Sequence, residues 1–74
     1  MTNKATKLIK LGKRIKLARK AKNLSQNQLA EMLDISREHL AKIETAKRTA
    51  SLGLLFDLSD KLEILEKDLF DFSK

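Results

Sequence analysis

The side chains in this sequence with chemistry to offer are cations and hydrogen-bonding groups rather than nucleophiles. Arg37 can pair bidentately with guanine O6 and N7, Lys42 can reach the same two atoms, and Glu38 can accept from the amino group of cytosine. Glu38 also precedes Lys42 by four residues, the order in which a glutamate can simply orient a lysine along a helix. Catalytic and metal chemistry find no such support. His39 is the sole histidine and cysteine is absent, so neither a disulfide framework nor a thiolate metal site can form. A Ser/His/acid grouping and a glycine-rich phosphate loop are both missing. No metal, no cofactor and no enzymatic activity is expected.

Charge sharpens this reading. The formal net charge is +6, and it is unevenly spread: residues 1–50 hold 13 Lys/Arg against 4 Asp/Glu, whereas residues 51–74 hold 3 against 6. A basic body with an acidic end attracts a polyanion in one orientation, and DNA is the commonest polyanion inside cells. A merely well-solvated basic surface accounts for the net charge equally well, so composition alone leaves both readings open. With 74 residues the chain can close one hydrophobic core, so a single domain spanning residues 1–74 is expected. The longest apolar run is Leu54-Leu55-Phe56, far short of the ~20 residues that span a bilayer, and no signal peptide is evident. A soluble, cytoplasmic, nucleoid-associated protein encoded by a bacterium or phage is expected.

The elements that must position these side chains are helices. Proline is absent, glycine occurs only at positions 12 and 53, and no segment alternates with period two. Leu8, Leu11, Ile15 and Ala18 recur at spacings of three and four, which predicts a first helix from about Thr6 to Lys22. Ser25 and Gln28 form a capping box in front of a second helix, Gln26 to Leu33, with Leu29 and Leu33 inward. Asp34-Ile35-Ser36 then interrupts, and Ser36 can cap a third helix running to Thr45 with Leu40 and Ile43 inward. Ser51 is the candidate cap of a fourth helix with Leu52, Leu55, Leu58 and Leu62 in register, and Leu69 with Phe70 predicts a short fifth. Two short helices joined by a tight turn need a small residue at their crossing and an apolar one tucked into the turn, which are the roles of Ala30 and Ile35. This places a helix-turn-helix unit at about residues 26–45, with loose ends at 1–5 and 73–74.

Over about residues 8–72 the sequence resembles the phage-repressor and Cro type of helix-turn-helix domain, also called the xenobiotic-response-element type. The resemblance is carried by Leu11-Gly12-Lys13-Arg14-Ile15, Arg19, Leu24-Ser25-Gln26, Leu29-Ala30, Ile35-Ser36-Arg37, Leu40, Ile43-Glu44, Lys47-Arg48, Ser51-Leu52 and Leu69-Phe70. It implies an all-α, five-helix fold of the lambda-repressor type whose third helix reads base edges in the major groove through Ser36, Arg37, Glu38, Ala41 and Lys42. It further implies phosphate contacts from Gln26 at the head of helix 2 and from Lys47 and Arg48 after helix 3, with His39 facing phosphate or solvent. Arg19 and Glu44 correspond to an ion pair that braces the recognition helix. Four turn positions depart from the family pattern: glycine is frequent where Asp34, Ala46 and Glu63 stand, and proline where Ala50 stands. Without a glycine to end it, helix 3 is expected to run on toward Lys47.

The expected partner is double-stranded DNA. Leu54, Phe56 and Leu65 are apolar residues left over once the inward stripes of helices 4 and 5 are assigned, so a homodimer through the C-terminal third is expected. The rival is a protein-interaction module, such as an antitoxin bound to its toxin. No dedicated toxin-binding tail is expected after the resembling stretch, which favours a transcriptional regulator. Helix 1 is basic and amphipathic enough to lie on an anionic membrane, but its apolar stripe is small and is needed by the core, so no membrane association is expected.

Overall fold

The structure, a computed structural model, describes residues 4–70. Five helices follow one another: α1 Lys4–Ala21, α2 Gln26–Leu33, α3 Arg37–Glu44, α4 Leu52–Leu62 and α5 Glu66–Leu69. Among the described residues there is no strand. α1 begins at Lys4, so residues 4 and 5 belong to the helix rather than to a loose end. The remainder of the expected loose ends, residues 1–3 and 73–74, lies outside the described residues. No helix among the described residues is long and apolar enough to cross a membrane.

Each helix contributes one fully buried side chain to a common core: Ile15, Leu29, Leu40, Leu58 and Leu69. Around them pack Leu11, Ala30, Leu33, Ile43, Leu55 and Leu62, with Ile35 partly buried in the turn between α2 and α3. Serine side chains start three of the helices as expected: Ser25, Ser36 and Ser51 each accept a backbone N–H three residues ahead. At α2 the box is complete, because the Ser25 N–H donates to Gln28 Oε1 at 2.8 Å.

The first four helices all end alike, and none uses glycine. Asn23, Asp34, Ala46 and Glu63 adopt left-handed backbone with φ of 58°, 56°, 61° and 55°. In each case the next residue's N–H reaches back to a carbonyl five positions earlier: Leu24 to Arg19, Ile35 to Ala30, Lys47 to Lys42 and Ile64 to Ser59. These bonds occupy carbonyls that a helix end otherwise leaves unpaired. Helix 3 therefore does not run on to Lys47. It stops at Glu44, the Thr45 hydroxyl donates to the Ala41 carbonyl at 2.8 Å, and Ala46 makes the turn despite its Cβ.

Glycine is kept for a close approach instead. A Cβ on Gly12 would lie 2.6 Å from the Glu44 carbonyl oxygen and 2.7 Å from that of Ile43, so α1 presses its bare backbone against the end of α3. Two long-range ties hold the C-terminal helices to α1 and the residue that follows it. Arg14 Nη1 donates to the Asp68 and Leu69 carbonyls at 2.9 and 3.3 Å, closing the end of α5. Lys22 pairs with Glu63 at the α4 terminus, and this hydrogen bond holds the Glu63 carboxyl below its ordinary pKa.

The expected apolar register of α4 is shifted. Leu54 was expected as a leftover surface residue, but it is 9% exposed and belongs to the core, whereas Leu52, expected inward, is 61% exposed. At 3.6 residues per turn Leu54 lies about 40° from Leu58, while Leu52 lies about 120° away and only about 40° from Phe56. Leu54 therefore shares the inward stripe with Leu55, Leu58 and Leu62.

Candidate nucleic-acid interface

The side of α3 turned away from the core forms an outward arc. Leu40, Ile43 and Glu44 turn toward the core, which leaves Arg37, Glu38 and Lys42 exposed and Ala41 half-buried on the other side. Ser36 stands at the head of this arc, with its hydroxyl oxygen accepting the His39 N–H at 3.0 Å. Its oxygen is thus engaged as a cap, while its O–H remains a donor. His39 is half-buried beside the arc. Among the described residues no ion pair joins Glu38 to Lys42, so the Glu38 carboxylate is not committed to orienting that lysine.

Behind the arc lies a buried polar brace. Arg19 Nε and Nη2 donate to Glu44 Oε2 and Oε1 at 2.7 and 3.2 Å, and Arg19 Nη1 donates to the Leu24 carbonyl at 2.7 Å. Both residues are nearly sealed from water, at 6% and 5% exposure. The bidentate geometry fixes the guanidinium relative to the carboxylate and so fixes α1 against the end of α3. Gly12 makes this approach possible from the same helix face.

The brace continues to the surface by a route that residue types alone do not show. Gln26 Nε2 donates to Glu44 Oε1 at 3.0 Å, and Gln26 Oε1 accepts from Arg37 Nη1 at 3.4 Å. A carboxylate on one side needs the amide nitrogen and a guanidinium on the other needs the oxygen, so its partners dictate the amide's orientation. Gln26, expected as a phosphate contact, is here the link between the buried ion pair and Arg37. Nothing in the spacing of residues 19, 26, 37 and 44 announces this chain, because it requires three helices to meet.

Lys47 and Arg48 sit exposed in the loop after α3, with their backbone N–H groups tied to the Lys42 carbonyl at 2.8 and 3.3 Å. The left-handed Ala46 turn thereby holds both cations beside the C-terminal end of the α3 arc. In α4 and its exit, Leu52, Phe56 and Leu65 are the exposed apolar residues, at 61%, 46% and 63% exposure.

Two short helices crossing over a small residue, a braced third helix with cations along its outer arc and a basic loop behind it define a helix-turn-helix protein. Comparison with known proteins agrees: residues 15–69 match the family model described as Helix-turn-helix. The chain belongs to that family. It is 35% identical over 74 residues to the control protein C.BamHI of Bacillus amyloliquefaciens, covering 99% of this chain and 89% of that one. It is 40% identical over 53 residues to an uncharacterised HTH-type transcriptional regulator of Rickettsia conorii, but spans only 42% of that protein's length. Among solved structures it resembles the restriction-modification controller protein C.AhdI of Aeromonas hydrophila, with a TM-score of 0.80 and 35% identity over 85% of this chain and 96% of that one. It also resembles SinR, the master regulator for biofilm formation solved in complex with DNA, with a TM-score of 0.76 and 34% identity over 82% of this chain.

Proposed function

We propose that this chain is a sequence-specific, double-stranded DNA-binding transcriptional regulator that reads the major groove with α3. The observation that carries the reading is the Arg19–Glu44–Gln26–Arg37 chain: it holds an exposed guanidinium at the first turn of a helix whose outer arc is otherwise committed to nothing. A recognition group gains from being oriented before contact, since less side-chain freedom is lost on binding. In this reading Arg37 contacts guanine, Lys42, Glu38, Ser36 and Ala41 border the same base edges, and Lys47, Arg48, His39 and the Gln26 end of α2 lie along the phosphates. Membership of the family and the likeness to two controller proteins and a DNA-bound regulator support regulation over a toxin-neutralising role or an enzymatic one. Action in the cytoplasm, at the nucleoid, follows from a DNA target.

The regulator acts as a homodimer in this reading. Leu54 lies in the protomer core, so the interface is built on Leu52, Phe56 and Leu65, the exposed apolar side chains of the C-terminal third. A two-fold axis there presents two copies of α3 to successive turns of the major groove, about 34–36 Å apart. Selection of bound duplexes from a random pool, paired with sedimentation, tests both parts. The expected outcome is a two-fold symmetric site with half-site centres one helical turn apart, bound by a dimer. Phe56→Lys is expected to give folded monomers with weakened site binding. Recovery of no preferred sequence would overturn the regulator reading, and a monomer in the presence and absence of DNA would overturn the dimer.

A further inference from the structure

Beyond α3 and its loop, one strongly charged surface has no role in the fold. α1 contains no acidic residue, and the first in the whole chain is Glu31. Two of the α1 cations are structural, Arg14 closing α5 and Arg19 inside the brace. Lys13, Lys16 and Lys20 are different: they are exposed and follow one another at spacings of three and four, which places them along one side of the helix. Like charges at those spacings destabilise a helix, and α1 offers no carboxylate to offset them. Lys13 and Lys16 make no hydrogen bond or ion pair among the described residues.

Their location gives the charge a direction. Lys13 and Lys16 line a cleft of about 350 Å³ together with Ile9, Gln26, Glu44 and Thr45. The cleft therefore joins the side of α1 to the head of α2 and the end of α3, the two places where the reading surface meets the DNA backbone in the function proposed above. The single carboxylate in it, Glu44, has its oxygens taken by Arg19 and Gln26. The cleft thus presents ammonium groups to any anion that enters. From Lys13 to Lys20 the helix rises about 10 Å at 1.5 Å per residue, long enough to meet more than one phosphate of a strand whose charges follow at about 3.4 Å intervals of the duplex axis.

We propose that the Lys13–Lys16–Lys20 side of α1 is a second track for the DNA backbone, contacting phosphates of the strand that runs past the Gln26 end of α2. The occupant is a nucleic-acid phosphate chain because the surface carries three exposed lysines and no unpaired carboxylate, is extended, and is continuous with the surface assigned to DNA. The track adds affinity at every sequence and carries no base preference. The inference rests on the DNA-binding reading, and its test separates the two.

The test compares the salt dependence of binding to a random-sequence 40-base-pair duplex for three proteins: wild type, Lys13→Gln/Lys16→Gln, and Lys61→Gln/Lys67→Gln. The last pair removes the same charge from the C-terminal third, where both lysines are also exposed. Each lost phosphate contact lowers the slope of log K against log salt by about 0.9. The expected result is a slope reduced by about 1.8 for each bound protomer, about 3.6 for a dimer, in the α1 variant and unchanged for the C-terminal one, with Lys13→Arg/Lys16→Arg restoring wild-type behaviour. Equal slopes for wild type and the α1 variant would overturn the track and leave DNA binding intact. Equal reductions in both variants would also overturn it, showing an effect of net charge rather than of place. Loss of binding to phosphatidylserine vesicles in the α1 variant, with the DNA slope unchanged, would overturn it and assign the surface to a membrane. Failure of the wild type to bind the duplex at any salt would remove the DNA-binding reading itself.

Discussion

The two ends of the molecule are held by different forces. Around α1, α2 and α3 a buried ion pair, an amide relay and a bare glycine backbone fix how the helices sit. Around α4 and α5 the holding is done by leucine packing, supplemented by Arg14 on the last carbonyls of α5 and by Lys22 on Glu63. Leucines tolerate small shifts of one helix over another, since hydrophobic burial is non-directional. A bidentate pair with a third hydrogen bond does not, because its strength depends on angle. The end that presents a side chain to a base in the proposed function is thus held by directional bonds, and the end that offers an apolar face is held by area.

The sharpest way to break this contrast is to cut the brace. Glu44→Ala leaves the Arg19 guanidinium buried without its counter-charge, and breaking such a pair costs about 3–5 kcal/mol. Chemical denaturation should show that loss. Arg19→Ala should cost a similar amount, and the double variant should lose less than the two combined, because the second change removes a charge already stranded. Additive losses in the cycle would show that the pair does not act as a unit.

The glycines give a second, smaller contrast. Gly12→Ala drives a methyl group into the Glu44 and Ile43 carbonyls, which should destabilise by about 1–3 kcal/mol as overpacking does and displace α3 from α1. Gly53, near the start of α4, has nothing within 4 Å of its Cβ position, so Gly53→Ala should be neutral or stabilise by up to about 1 kcal/mol. Equal melting shifts in the two variants would deny that α1 and α3 are closer packed than α4 and its surroundings.

The smallest expected effect is a gain. Ala46 holds left-handed backbone at φ 61°, which costs an L-residue about 1–2 kcal/mol, and glycine returns about half of the relief through its greater freedom when unfolded. Ala46→Gly should therefore raise stability by about 0.5–1 kcal/mol, read as a shift in melting temperature. A loss instead would mean that the chain leaves α3 by another path.

Much of this architecture was legible in residues close together in sequence. The Ser25/Gln28 box, the serine caps of α3 and α4 and the Ala30 and Ile35 positions depend on neighbours within one or two turns, and all stand where the spacing put them. The register of α4 was misassigned, because steps of three from Leu52 drift around the helix, whereas 3.6 residues per turn puts Leu54 about 40° from Leu58 and Leu52 about 120° from it. The turn at Ala46 was missed for another reason: its residue type argues against a left-handed conformation that the surrounding hydrogen bonds impose. Arg14 on the α5 carbonyls and the path through Gln26 connect residues from separate helices, up to 55 positions apart. No local spacing encodes such contacts.

The central claim is that the brace delivers Arg37 to a base, and one measurement addresses it most directly. Binding of wild type, Arg37→Ala and Lys47→Ala should be compared on the selected site, on single-base variants of that site and on random duplex. Arg37→Ala is expected to cost about 1–3 kcal/mol per protomer on the selected site and to flatten preference at one base position of each half-site, whereas Lys47→Ala weakens every duplex alike and lowers the salt slope by about one for each bound protomer. If both substitutions lower affinity for the selected site and the random duplex by the same factor, with base preference unchanged, Arg37 is not a reader and the account of the brace as its positioning device fails.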